Sequence, residues 1–275
     1  MEFIKLIGIG IILGVGNVIP GVSGGTLAVV FNIYDRLINV ITLNVKKIIK
    51  EWKFILPIGI GLILGILLFS NIITFLFEHY PVQTNWFFIG IILGSLPMIY
   101  KRFSKASKKK SSFVSGIICG IIALGIMIVM IYIHPAETEI QTKLTLSLGI
   151  KLFFGLALAA IAMIIPGISG SFLMLVVGIY STIIGAIANF NIPLLIVGGF
   201  GAVVGLLGGA GLVRFLMVKV PAQTYGAILG LVVGSILVIF PGLGSIITII
   251  TSLVCAIIGF IVSFFASREK IEDLN

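Results

Sequence analysis

The sequence predicts an all-α polytopic membrane protein with two inverted-topology repeats, each made of a re-entrant helical hairpin plus three transmembrane helices. Three observations support this class. The chain has 275 residues, of which 59% are hydrophobic and only 10% charged, and its mean hydropathy is +1.29. Apolar runs of about 20 residues, the length that crosses a bilayer, recur along it. One motif that interrupts such a run occurs twice, once in each half.

Composition and charge exclude several functional classes. A soluble domain of this length would carry about a quarter charged residues, so no sizeable soluble domain is expected. The net charge of +9 lies in short loops between apolar runs, which argues against nucleic acid as a partner. Under the positive-inside rule two basic clusters predict cytoplasmic loops, and these also suit contact with anionic membrane lipids. The clusters are Arg36, Lys46, Lys47, Lys50 and Lys53, then Lys101, Arg102, Lys105, Lys108, Lys109 and Lys110.

Signatures of catalysis and of cofactor binding are missing from the sequence. It has no Gly-rich nucleotide-binding loop, so ATP-driven transport by this chain alone is not expected. It has no cluster of His, Cys, Asp and Glu at metal-ligand spacing. We therefore predict no catalytic residues, no metal and no cofactor.

The repeated motif is the most informative feature. Residues 19–24 (IPGVSG) recur as residues 165–170 (IPGISG), and the longer segments 19–41 and 165–187 share 11 identities in 23 positions. Each copy breaks an apolar run with Pro, Gly and Ser. Such a break is tolerated in a membrane only where the backbone is buried in protein or lines a cavity. Interrupted segments at corresponding positions of two halves point to a transporter's binding site.

Further matches extend the repeat. PVQT at residues 81–84 recurs as PAQT at 221–224, with matching glycines before and after it. The first repeat, residues 1–134, is predicted to hold a hairpin at about 3–40 and helices at about 54–77, 84–100 and 113–133. The second repeat, residues 135–275, is predicted to hold a hairpin at about 149–188 and helices at about 192–217, 223–241 and 244–266. Two full but broken spans are the alternative to each hairpin.

Charge placement predicts the topology. The basic loops 35–53 and 101–112 are expected on the cytoplasmic side, and the loops 78–83 and 134–148 outside. The first half then makes three full crossings, and because this number is odd the second half is inverted. Both termini are predicted to be cytoplasmic.

Each part of the motif has a physical role. Proline ends the first limb of the hairpin, glycine permits a tight turn, and serine is placed as N-cap of the second limb. The free N–H groups and positive dipole end of that second limb suit an anion such as a phosphate group. These motif residues are Pro20, Gly21 and Ser23 in the first copy and Pro166, Gly167 and Ser169 in the second. Neighbouring candidates for contact with an oxyanion are Asn17, Gly24, Gly25, Thr26, Gly170 and Ser171.

Other readings of these features stay open at the level of sequence. The motif can be a turn that only allows close helix packing, and the glycines near 59–65 and 198–211 are expected to form packing faces. Arg214 ends a long apolar run, so it is a candidate to meet a headgroup or else to extend to the cytoplasmic interface. Asp35, beside Arg36, is expected to be a salt-bridge partner in a loop.

The two motif copies resemble the signatures of a known family. Residues 14–26 (GVGNVIPGVSGGT) and 165–172 (IPGISGSF) are similar to those of the bacterial polyprenyl-phosphate transporters, formerly a domain of unknown function, as are residues 213–216 and 230–241. The resemblance implies a translocase that returns undecaprenyl phosphate to the inner leaflet of the cytoplasmic membrane for cell-wall polymer synthesis, and not an enzyme. Asn17 departs from the Asp expected in many relatives, so coupling to protons is not implied here. A homo-oligomer is left open.

Two other functions compete with this one. The pocket chemistry also suits a secondary transporter or channel for a small anion. A membrane polyprenyl-pyrophosphate phosphatase would share inverted repeats and Ser-containing breaks, but it needs acid–base groups and cations beside the serine. Here Ser23 and Ser169 are followed by Gly, and no Glu lies near either motif.

Overall fold

A computed structural model describes residues 2–18, 24–41, 45–133, 140–242 and 245–268. This part of the chain is helical, with no strand among the described residues, which confirms the all-α class. The first half contributes α1 Glu2–Val18, α2 Gly24–Val30, α3 Tyr34–Val40, α4 Val45–Lys50, α5 Trp52–His79, α6 Pro81–Ala106 and α7 Lys110–Ile131. The second half contributes α8 Leu146–Ile164, α9 Gly170–Val177, α10 Tyr180–Ala188, α11 Ile192–Lys219, α12 Pro221–Ile239 and α13 Ile246–Arg268.

A helix of membrane length occurs at each of the six predicted spans, and these helices are α5, α6, α7, α11, α12 and α13. In the described part of the chain α6, α7, α8, α11, α12 and α13 are long and apolar enough to cross a membrane. Helix α5 has 28 residues, more than the roughly 20 that one crossing needs. Helix α8, predicted as a hairpin limb, has 19 residues, so its length also fits the alternative of a full but broken span.

The predicted basic loops are shorter than the sequence suggested. Helix α6 continues to Ala106, so the basic residues that follow position 100 begin on a helix and only residues 107–109 separate it from α7. Segment 35–53, predicted as a loop, holds most of α3 and all of α4. Lysine and arginine are good helix formers, so a basic stretch at the end of an apolar helix can extend that helix beyond the membrane.

The second limb of each predicted hairpin is divided into two helices, α2 and α3 in the first copy and α9 and α10 in the second, whereas the sequence predicted one continuous segment. Helices α9 and α10 meet at an angle of 110°. Gly178 between them has φ +71°, and Asn32, its counterpart between α2 and α3, has φ +59°. A left-handed residue ends a helix, and Gly and Asn are the residues that most readily adopt it. The division into two helices is therefore encoded at the same repeat position by two different residues.

Helix packing follows the same pattern in both halves. Helix α1 packs along α5 as α8 packs along α11, and the last helix of each half packs on the other half, α7 on α12 and α13 on α6. The equivalent helices α6 and α12 also touch each other. The halves are thus intertwined, which suits the predicted repeat; its inversion stays a prediction.

Glycines allow these close approaches. A Cβ added at Gly61 or Gly65 would lie 2.2 or 2.3 Å from a carbonyl oxygen of α1, and one at Gly201 or Gly205 would lie 2.2 or 2.1 Å from a carbonyl oxygen of α8. The predicted packing faces are confirmed at these four positions. They are not found at Gly59, Gly199, Gly208 and Gly211, where an added Cβ would meet nothing within 4 Å.

Candidate functional site

The second motif forms a tight break between α8 and α9. Helix α8 ends at Ile164, just before Ile165 and Pro166, as predicted for a proline that ends the first limb. Gly167 then has φ +88°, and a Cβ on it would lie 2.7 Å from the carbonyl oxygen of Leu231 in α12. Both the backbone conformation and the contact with α12 therefore require glycine at this position.

Ser169 lies at the N-cap position of α9, but its side chain does not cap the helix. Its hydroxyl is 2.8 Å from the Ser171 hydroxyl, and it makes no capping hydrogen bond. By contrast Thr145 caps α8 by accepting the Leu148 N–H at 3.2 Å. The first backbone N–H groups of a helix have no partner within the helix. At the start of α9 these N–H groups are not capped by Ser169, and they lie next to the Ser169 and Ser171 hydroxyls, so they can bind a ligand.

The helices that follow the first motif lie against the second motif. Residues 19–23 of the first motif, with Pro20, Gly21 and Ser23, fall outside the described part of the chain, and so does the side chain of Asn17. The helix that follows is described: Thr26 is 1% exposed and its Oγ1 accepts the Gly167 N–H at 2.7 Å. The Tyr34 hydroxyl donates to the Ile164 carbonyl oxygen at 3.0 Å. The start of α2 and the second break are therefore in direct contact.

The two hairpins differ in exposure. Residues Gly25–Val30 of α2 are all buried, and a Cβ on Gly25 would lie 2.9 Å from the Ile164 carbonyl oxygen. In α9 Gly170 is the one buried residue, while Ser171, Leu175 and Val176 are exposed. Helix α2 is thus packed inside the protein, whereas α9 faces open space.

That open space is a cavity of about 580 Å³, and it ends at the tip of α9. Its polar side chains are Asn85, Ser169 and Ser171, and Gly167 contributes backbone. The remaining lining residues are apolar, and none of the lining residues that the structure describes is charged. They are Phe77, Met127, Met130, Ile131, Phe172, Leu175, Val238, Ile239, Phe240 and Pro241. A few hydroxyl, amide and N–H donors at one end of an apolar cavity suit a ligand with a small polar head and an apolar body.

The structure brings together some of the predicted site residues. Gly167, Ser169 and Ser171 line the cavity, and Thr26 and Gly25 pack directly behind it. Gly24, Pro166 and Gly170 shape the two breaks without lining the cavity; a Cβ on Gly170 would lie 2.5 Å from the Met163 side chain.

Arg214 lies apart from this group. It is half-buried on α11 next to the buried Val213, and it does not line the cavity. Within the described part of the chain the structure records no hydrogen bond or ion pair for it. Its predicted contact with a headgroup therefore stays a prediction.

A charged cluster was missed by the sequence analysis. Arg102 of α6 binds Asp35 and Asn32 through its two terminal nitrogens, and Tyr225 of α12 donates its hydroxyl to Asp35 at 3.1 Å. We call these four residues the Arg102 cluster. Asp35 was expected to pair within a loop, yet it lies in the first turn of α3 and pairs across 67 residues. Arg36, its neighbour, pairs instead with Glu51 at 2.9 Å.

Comparison with known proteins places this architecture in a family. A family model described as undecaprenyl phosphate translocase-like matches residues 13–257. The polyprenyl-phosphate transporter of Staphylococcus aureus (strain NCTC 8325 / PS 47) is 35% identical over 275 aligned positions, 96% of each chain. The polyprenyl-phosphate transporter of Vibrio cholerae serotype O1 is 30% identical over 247, or 84% of this chain and 76% of the relative. No solved structure shows a significant match.

The helices of membrane length and the bent pair α9–α10 define a polytopic helical membrane protein. The family model covers most of the chain, and the two relatives are identical at 35% and 30% of positions. The chain belongs to the undecaprenyl phosphate translocase-like family.

Proposed function

We propose that this protein translocates a polyprenyl phosphate, undecaprenyl phosphate in particular, across the bacterial cytoplasmic membrane. In this way it returns the carrier lipid to the inner leaflet for cell-wall polymer synthesis. One observation carries the proposal: an apolar cavity that ends at the uncapped N-terminus of α9 and the Ser169–Ser171 pair. The two relatives, named polyprenyl-phosphate transporters, supply the substrate class.

The proposed site divides the substrate between two environments. The phosphate binds at the tip of α9, where N–H groups and the helix dipole favour an anion. Helix α2 packs behind it, and Thr26 accepts the Gly167 N–H. This contact supports a proposed site that also includes the N-terminus of α2, the other half-helix of the pair. The isoprenoid tail needs no polar partner and stays among apolar side chains and lipid.

No chemical step is needed for this function. The barrier is the cost of moving a charged headgroup through hydrocarbon, and a polar path inside the protein lowers it. Among the described residues that line the proposed site, none has a charged side chain that could act as acid or base. We therefore propose transport without hydrolysis of the phosphate ester.

The test is headgroup translocation of a short-chain fluorescent polyprenyl phosphate in proteoliposomes. The variant Ser169→Ala/Ser171→Ala removes both hydroxyls from the cavity and keeps the backbone donors. We expect it to slow leaflet transfer about ten-fold or more, since a hydrogen bond to a charged group contributes about 1.5–3 kcal/mol. Ser181→Ala, on α10 outside the cavity lining, is the matched control and should transfer lipid at the normal rate.

Three other results would redirect the proposal. Release of inorganic phosphate during the assay would indicate a phosphatase. Uptake of free phosphate without lipid transfer would indicate a small-anion transporter. Lipid transfer that is unaffected by the serine double variant would keep the function and move the headgroup site away from α9.

A further inference from the structure

The Arg102 cluster and the cavity occupy opposite ends of the α6–α12 pair. Asn85, near the start of α6, lines the cavity, and Arg102, near its end, lies in the cluster. On α12 the order is reversed, since Tyr225 near the start joins the cluster and Ile239 at the end lines the cavity. The helices are therefore antiparallel. Asn85 and Arg102 are about 25 Å apart along α6 at 1.5 Å per residue, close to the thickness of a bilayer's hydrocarbon core.

The repeat relates these two ends to each other. In the alignment of residues 19–41 with 165–187, Asn32 and Asp35 correspond to Gly178 and Ser181. In the alignment of PVQT with PAQT, Arg102 corresponds to Gly242 and Tyr225 to Asn85. The first set forms a network of charged and polar side chains that joins α3, α6 and α12. The second set has no charged member, and at its end of the pair the structure has a cavity. The contacts at the two ends therefore differ in kind. At the cavity end the Trp86 indole N–H donates to the Gly242 carbonyl oxygen and Lys151 donates to the Gly178 carbonyl oxygen, both at 3.3 Å, but the four equivalent residues form no charged network there.

Burial shows the same difference. At the bridged end the residues beside Asn32 and Asp35 are inside the protein, with Ile33 1% and Tyr34 2% exposed. At the open end α9 exposes Leu175 and Val176 at 37% and 43%. Alternating access in inverted-repeat transporters moves one half against the other so that only one end is open at a time. One end is bridged and the other open here, as expected of one of the two end states.

The bridge is made of contacts that can separate. Arg102 is held by Asp35 and Asn32 and lies with its guanidinium carbon 6.0 Å from the centre of the Tyr225 ring. The second oxygen of Asp35, Oδ1, is buried without a hydrogen-bond partner among the described residues. The pair is only partly buried, with 38% of the Asp35 side chain and 27% of the Arg102 side chain exposed, so solvent screening keeps its contribution to stability modest. A contact of modest strength can open in every transport cycle.

We propose that the Arg102 cluster is the closed gate of the transport path, at the end of the molecule that the basic loops predict to be cytoplasmic. The proposal rests on the proposed function for what passes the gate. Separation of Asp35 from Arg102 opens this end, and the opposite cavity closes. The opened end then presents the Arg102 guanidinium, a group that pairs well with phosphate, to the arriving headgroup.

Two reporter cysteines measure the state of each end without any substrate. Val238 lines the cavity and is 41% exposed, and Met98, its repeat equivalent near the cluster end of α6, is half-buried. Val238→Cys and Met98→Cys are placed separately in a background with Cys119→Ala and Cys255→Ala. The rate of labelling by a membrane-impermeant maleimide is measured in lipid nanodiscs, where both faces are accessible.

Loss of the gate contacts should shift labelling between the two reporters. Asp35→Asn and Arg102→Gln should each slow labelling of the Val238 cysteine about five-fold or more and speed labelling of the Met98 cysteine. The reason is that a contact formed in only one of two conformations helps to set how much each conformation is populated. Tyr225→Phe, which removes one hydrogen bond, should give a smaller shift in the same direction. The double variant Asp35→Asn/Arg102→Gln should shift no further than either single variant, since both remove the same ion pair.

Glu51→Gln is the matched control. It breaks the ion pair between Glu51 and Arg36, which is 2.9 Å long and joins two residues of the first half. Its labelling rates should equal those of the parent. The gate proposal is wrong if the folded cluster variants have the same labelling rates as the parent protein, or if Glu51→Gln shifts the rates as the cluster variants do. If Asp35→Asn does not fold, Tyr225→Phe decides the question.

The two proposals fail in different ways. If the labelling rates shift as expected but no polyprenyl phosphate is transferred in proteoliposomes, the gate stands and the substrate assignment is wrong. If lipid is transferred and the serine variant slows it, but labelling does not depend on the cluster, the function stands and the gate does not.

Discussion

Single residues decide how the two hairpins are held together. Thr26 is the clearest example, because its hydroxyl satisfies the buried N–H of Gly167 across 141 residues. The sequence marked Thr26 as a possible ligand of a phosphate, while the structure uses it to hold the second break. Ser169 shows the reverse, since it was predicted to cap α9 and its hydroxyl instead pairs with Ser171 at the cavity.

Replacement of Thr26 tests this role. Thr26→Val keeps the shape of the side chain but leaves the Gly167 N–H buried without an acceptor, which should cost about 1–3 kcal/mol of stability. Thr26→Ser keeps the hydroxyl and should lose less, so it is the control. Thermal unfolding of the purified protein in a fixed detergent measures the difference. Equal melting temperatures for the valine and serine variants would show that the hydrogen bond contributes nothing.

At the scale of elements, local sequence signals predict where the long helices lie, and single residues with a left-handed backbone conformation mark where a helix breaks. Apolar length placed the six long helices, and Pro166 marked the end of α8. The bend between α9 and α10 was missed, although Gly178 and its counterpart Asn32 are both residue types that adopt positive φ. An isolated Gly or Asn in an apolar run is a weak signal, because membrane helices contain many glycines.

Two neighbouring glycines of α5 test the packing of the first hairpin. Gly61→Ala would place a methyl group 2.2 Å from the carbonyl oxygen of Ile7, so α1 and α5 must move apart. We expect a loss of about 1–3 kcal/mol in stability, as for other overpacked sites. Gly59→Ala lies on the same helix and meets nothing within 4 Å, so it should be neutral or slightly stabilising. Thermal unfolding of both variants under the same conditions gives the comparison, and similar melting temperatures would contradict the close contact.

At the scale of the whole molecule, each half packs its last helix against the other half, and the cavity lies at one end of the α6–α12 pair. Helix α7 packs on α12 and α13 packs on α6, so neither half is a separate unit. The domain boundary near residue 134 describes the repeat in the sequence and stays a prediction as a division of the structure. The antiparallel contact of α6 and α12 is what inverted repeats require of equivalent helices.

Inversion itself has a direct test. Tyr80 and Val220 are repeat equivalents that directly precede the PVQT and PAQT segments, and they are 52% and 37% exposed. In a cysteine-free background Tyr80→Cys should react with an impermeant maleimide on intact cells, and Val220→Cys only after the membrane is permeabilised. Reaction of both cysteines from the same side would show that the halves are parallel, and the predicted topology would be wrong.

The all-α membrane class and the positions of the long helices could be predicted from the sequence alone, while the re-entrant hairpins stay predictions. The class and the helix positions depend on local properties: apolar length against bilayer thickness, and proline and glycine against helix geometry. The tertiary structure was needed to show that Thr26 holds Gly167, that Asp35 pairs with Arg102 rather than within a loop, and that the cavity lies at the α9 end. Such contacts join residues far apart in the chain. They depend on how the helices pack, which hydropathy and motif spacing do not specify.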